Sequence, residues 1–153
     1  MYNARRTFRW MKLMGLLLLA GGCGERYQQL AGTIKTIDQQ ELAVGNYVVI
    51  PNQGCEGCIS TAEDFVKKHY ASNDHIRYIF TRIQAVKLLR IKLGSEVMNS
   101  SKVLLDTANV IVYPDKTKAI YPMIVKISEG RITGITYQSP ESDGLEELLK
   151  ALR

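Results

Sequence analysis

The chain has 153 residues, 46% of them hydrophobic and 23% charged, with a formal net charge of +5. That composition fits one globular domain and excludes bulk disorder. The basic excess is local: Arg5, Arg6, Arg9 and Lys12 stand in the first 22 residues with no acid, and taking those four from 20 leaves 16 basic against 15 acidic residues, a net of +1 that excludes a basic nucleic-acid footprint in the remainder.

The N-terminal stretch joins these basic residues to the short apolar run MGLLLLAGGC. Such a run is too short to span a bilayer as a mature helix and has the layout of a secretory signal. Ala20, Gly21 and Gly22 lead directly into Cys23, and this region resembles a bacterial lipobox, whose cysteine is lipidated and becomes the first mature residue. One departure is that Ala20 stands where that pattern prefers leucine, with Leu19 one place further back. The resemblance implies a signal peptide over 1–22, a lipidated Cys23 with a polar tether to residue 33, and a domain over 34–153. It also implies attachment to a membrane of the bacterial cell envelope through that lipid, facing the periplasm or the cell exterior. An exported compartment permits disulfides, and of the three cysteines Cys55 and Cys58 then remain as a pair.

Along the expected domain, TIKTID is read as a short first strand, and NYVVIP, Asn46 to Pro51, as a stronger one bounded by Gly45 and Gly54. From Glu56 to Ser72 the period changes to about 3.6, with Cys58, Ile59, Ala62, Phe65, Val66 and Tyr70 on one stripe. Glu63, Asp64, Lys67 and Lys68 are assigned to the solvent side. IRYIFTR, Ile76 to Arg82, reads as a strand, so the order strand, helix, strand points to a parallel crossover. Gln84 to Gly94 reads as a helix closed by Gly94, with Lys87, Arg90 and Lys92 on a solvated face. A strand is expected in one or both of the runs Val103 to Leu105 and Val110 to Tyr113. Met123 to Ile127 and Ile132 to Tyr137 form a hairpin around SEGR, and Asp143 caps a last helix whose Leu145, Leu148, Leu149 and Leu152 repeat at helical spacing.

The chemistry concentrates in QGCEGCISTAEDF. A CxxC in the first helical turn brings two sulfurs close enough to bond, while the unpaired amides and the helix dipole there favour a thiolate. Cys55 would be the exposed nucleophile, and Cys58, on the apolar stripe, the more buried resolving thiol. Glu56 sets a negative charge beside the nucleophile and opposes the dipole, while Gly57 lacks the stiffness of a proline. The pair is therefore expected to reduce or isomerise disulfides and not to be a strong oxidant.

With this order of elements, residues 46–153 resemble the thioredoxin-like family, carried here on a lipoprotein. The resemblance implies an α/β three-layer fold, a central mixed sheet with flanking helices, and thiol–disulfide oxidoreductase activity needing no metal or cofactor. Partners would be protein thiols or disulfides and a membrane or exported electron donor. That family places a cis-proline opposite the CxxC; Pro122 in AIYPMIV stands there with Tyr121 before it, so Tyr121, Pro122, Glu56 and Gly57 are the expected substrate-binding residues. The family's Trp-Cys-Gly-Pro-Cys is absent. Rival readings use the same pair. A Cu(I) carrier is one, although the methionine of copper-carrying ferredoxin-like domains is missing before Cys55. A peroxidase-like site would want a threonine where Asn52 stands. A non-enzymatic surface lipoprotein would use the pair as a structural disulfide. Zinc would need two further ligands, and His69 and His75, the only histidines, are assigned solvated or capping roles.

Overall fold

The computed structural model describes residues 27–42 and 45–153. The expected signal peptide and Cys23 lie outside the described residues. The first element is a helix, α1, Gln28–Asp38, and not the strand expected at TIKTID. Leu30, Ile34 and Asp38 fall four apart and are buried, which is a helical period. The β-branched Thr33 and Thr36 are accommodated because their hydroxyls donate to the carbonyls of Gln29 and Gly32, one turn back. Residues 28–33, expected as tether, are thus helical, and Leu30 is part of the core.

Strand β1, Gly45–Pro51, runs up the middle of the sheet. It pairs in parallel with β2, Ile76–Thr81, and antiparallel with β4, Met123–Ser128. The short β3, Val103–Leu105, lies parallel outside β2, and β5, Arg131–Ser139, closes the hairpin with β4. A two-residue β6, Ser142–Asp143, completes the order β3-β2-β1-β4-β5-β6. The protein is therefore α/β, with a six-stranded mixed sheet between helices, an arrangement compatible with a thioredoxin-like three-layer fold.

Alternation along the strands assigns each side chain to a layer. Val48, Ile50, Tyr78, Phe80 and Ile124 face one core, which is covered by Ala62, Phe65 and Val66 of helix α2, Glu56–His69, and by Leu145 and Leu148 of the last helix, Gly144–Ala151. Leu89 and Leu93 of helix α3, Val86–Leu93, join the same layer, as does Val97 of the single turn α4, Ser95–Met98. Tyr47, Val49, Ile79, Met123 and Val125 face the opposite core, beneath Leu30 and Ile34 of α1. The last helix, α5, is capped as expected, with Asp143 accepting from the Glu146 amide at 3.1 Å. Among the described residues no helix is long and apolar enough to cross a membrane.

Two other expectations change. Val103 to Leu105 is a strand, but Val110 to Tyr113 is not. The buried carboxylate of Asp106 accepts from the amides of Val110 at 2.9 Å and Ile111 at 3.0 Å, and from the Thr81 hydroxyl at 2.7 Å, so these amides are taken before any ladder can use them. Glu63 is buried and not on the solvent side, its carboxylate paired by Lys92 of α3 at 2.9 Å.

A second polar network fastens α1 to the sheet. The Tyr47 hydroxyl donates to buried Asp38 at 2.6 Å, and the Arg77 guanidinium donates to the other oxygen of that carboxylate and to Gln40. Removing the carboxylate strands both donors, so Asp38→Ala should lower the unfolding free energy by about 3 kcal/mol, read by urea denaturation. Burial, then the Asp38 carboxylate, raises the Tyr47 phenol above its ordinary value, and burial does the same for Tyr78 and Tyr113. In the unfolded chain these phenols ionise near pH 10 while the folded ones stay protonated, so their contribution is intact below about pH 10 and is lost as pH rises beyond it. Urea midpoints between pH 8 and 11.5 should be flat at first and then fall; a midpoint that rises above pH 10 would contradict this.

Candidate functional site

The cysteines stand where β1 delivers the chain out of the sheet. Asn52 extends the parallel ladder by one bond, its amide donating to the Thr81 carbonyl at 2.9 Å, and the chain then turns at Gly54. Gly54 has φ +148°, and a Cβ there would come within 2.3 Å of the Ile120 carbonyl oxygen. Only glycine therefore lets the two backbones lie this close. The next amide uses the contact: Cys55 N–H donates to the same Ile120 oxygen at 3.0 Å.

Cys55 is the N-cap of α2, and its carbonyl accepts the first helical bond, from Ile59, at 2.9 Å. No side-chain oxygen caps this helix end. The amides of Glu56, Gly57 and Cys58 belong to the first turn and have no partner within the helix, so a Cys55 thiolate would sit where a capping serine or aspartate oxygen ordinarily does. The two cysteines are joined in a disulfide with Cα atoms 5.3 Å apart. Cys58 is 7% exposed and packs into the core side of α2, whereas Cys55 is only half-buried. Glu56 and Gly57 are exposed, and a Cβ on Gly57 would meet nothing within 4 Å.

One residue of the segment 119–122, Ile120, meets the cysteine loop, accepting from the Cys55 amide and lying against Gly54. Ile120, a residue missed in the sequence, is 45% exposed. Tyr121 is half-buried, with Lys118 Nζ 5.7 Å from its ring centroid. Pro122 is buried, one position beyond the Val49–Met123 pair that ends the β1–β4 ladder. Its expected cis bond is corrected: the described residues contain no cis peptide, so Tyr121–Pro122 is trans. The favoured isomer of an X–Pro bond suffices here, because the extended chain carries the Pro122 carbonyl to the Gln138 amide, 2.9 Å away, in line with the β4–β5 pairing.

Two further residues reach this segment. Arg82, the first residue past β2, donates from Nη1 to the Ala119 carbonyl at 2.9 Å, with its guanidinium carbon 5.6 Å from the Tyr113 ring centroid. The buried Tyr113 donates its hydroxyl to the Tyr121 carbonyl at 3.1 Å. Parallel pairing of β1 and β2 puts both strand ends at one edge, and this could have marked Arg82. Tyr113, in an apolar run, carried no comparable signal.

Among the described residues no three His, Cys, Asp or Glu side chains cluster as a metal site. A groove of about 810 Å³ lies elsewhere, between Tyr27, Ala31 and Lys35 at α1 and Gly130, Arg131 and Ile132 at the β4–β5 hairpin, at the end of the sheet opposite the disulfide. No family model, curated protein or solved structure matches the chain.

The two glycines should respond oppositely to alanine. Gly54→Ala forces a Cβ into backbone at a positive φ and should cost about 2–4 kcal/mol, whereas Gly57→Ala, in open space on a helix, should stabilise by about 0.5–1 kcal/mol. Chemical denaturation of the two variants decides the matter, and equal effects would contradict the packing described.

Proposed function

We propose that the protein is a thioredoxin-like thiol–disulfide oxidoreductase, working at the cell envelope as a lipid-anchored domain. The observation that carries this is the Cys55–Cys58 disulfide at an uncapped helix N-terminus, with the first cysteine half-buried and the second buried. An inert staple has no need of that asymmetry. In the reduced protein the Cys55 thiolate attacks a sulfur of a substrate disulfide, forming a mixed disulfide and releasing one substrate thiolate. The Cys58 thiolate then attacks Cys55 Sγ, the mixed bond breaks, and the second substrate thiolate leaves. Two electrons have passed to the substrate, and the Cys55–Cys58 disulfide is re-formed. An external dithiol reduces it for the next turnover.

Glu56 sets the preferred direction. It is exposed, in the first turn, and its charge opposes accumulation of a thiolate, which is what makes a strong oxidant strong. The pair is accordingly read as reducing or isomerising. The same two thiols could hold Cu(I), and the tests below separate that role.

With dithiothreitol as reductant, the wild-type domain should reduce insulin disulfides, and its potential in defined thiol buffers should lie below about −200 mV. Cys55→Ser should abolish turnover, while Cys58→Ser should accumulate a mixed disulfide visible by mass. Absent turnover with tight stoichiometric Cu(I) binding would indicate a copper carrier instead. Unfolding of both serine variants, with no exchange, would indicate a structural disulfide.

A further inference from the structure

Three successive carbonyls, the middle one bonded to the Cys55 amide, are each held by a different part of the fold. Ala119 oxygen accepts from Arg82 at 2.9 Å, Ile120 oxygen from the Cys55 amide at 3.0 Å, and Tyr121 oxygen from the Tyr113 hydroxyl at 3.1 Å. The middle bond is the one that joins this segment to the redox helix. The outer two flank it, and their donors touch each other, the Arg82 guanidinium lying over the Tyr113 ring.

Both donors are fixed from below. Thr81, just before Arg82, donates its hydroxyl to buried Asp106, and its carbonyl accepts the Asn52 amide. Asp106 also accepts from the Ile111 amide, two residues before Tyr113. One buried carboxylate therefore sets the starting points of both arms. Arg82 itself has φ +54°, a left-handed conformation that glycine or asparagine adopts more readily. From there its side chain reaches the Ala119 carbonyl.

We infer that Arg82 and Tyr113 are positioning residues for disulfide exchange: together they bracket residues 119–121 and keep the Ile120 carbonyl on the Cys55 amide, so that the surface met by a polypeptide substrate is preformed. The inference rests on the proposed exchange activity. Neither residue touches a reacting sulfur; both act through the segment between them. Small thiols, which reach Cys55 without leaning on residues 119–121, should be indifferent to the bracket, and polypeptide disulfides should not.

The test uses Arg82→Gln and Tyr113→Phe in the full chain, the second removing a single oxygen. Each should raise KM for insulin about tenfold with kcat within about twofold, while the rate at which dithiothreitol reduces the oxidised pair stays within about twofold of wild type. Hydrogen exchange at the Cys55 amide should quicken about tenfold in both variants. The inference is overturned if folded variants keep the wild-type KM, or if reduction by dithiothreitol slows as much as turnover of insulin. Should the wild type reduce no disulfide, the exchange reading itself fails. Cys55 amide exchange then still decides the bracket, and an unchanged rate in both variants would refute it.

Discussion

Everything in this fold is arranged around a strand that has no solvent face. From Tyr47 to Ile50 every residue of β1 is buried, odd positions in one core and even positions in the other. Such a strand must be paired on both edges, because a buried unpaired amide or carbonyl is costly, and it receives β2 on one side and β4 on the other. It must also be covered on both faces, which fixes the positions of α1 and α2. The chain can meet water again only at the ends of β1, and Gly54, Cys55 and the start of α2 occupy one of them. The location of the disulfide is in this sense a product of the core.

Most of the layout was legible because burial leaves periodic marks. The continuous apolar run of NYVVIP, the stripe from Cys58 to Val66, the hairpin about Gly130 and the Asp143 cap each follow from one local rule, and each is found. What escaped detection depended on partners distant in sequence. TIKTID has too few residues to separate the two periods, and only Leu30, before it, completes the helical stripe. Val110 to Tyr113 has the side chains of a strand, but Asp106 holds its first amides. Glu63 looks solvated on a helical wheel until Lys92 arrives from α3.

The site shows the same division. Cys55, Glu56, Gly57 and Cys58 are adjacent in the chain, so a bond between the two cysteines is readable from their spacing alone. The neighbourhood of Cys55 is instead built from backbone atoms: a glycine pressed on a carbonyl, and an amide bonded to that same carbonyl. Backbone groups are present at every residue and leave no compositional trace, so Ile120 could not stand out. Pro122 directly precedes β4, and its isomer depends on the path into that strand, which the dipeptide Tyr121–Pro122 does not encode.

The groove at α1 bears on how the molecule is presented. Tyr27 lies there with the Gly130–Ile132 turn, beside the Gly45 end of β1, and the disulfide stands past the Pro51 end. The seven residues of β1 separate the two by about 20 Å. The described chain starts at one pole and carries its disulfide at the other. Held by its N-terminal side to any surface, the molecule would turn Cys55 outward, toward whatever diffuses past, and away from the plane that holds it.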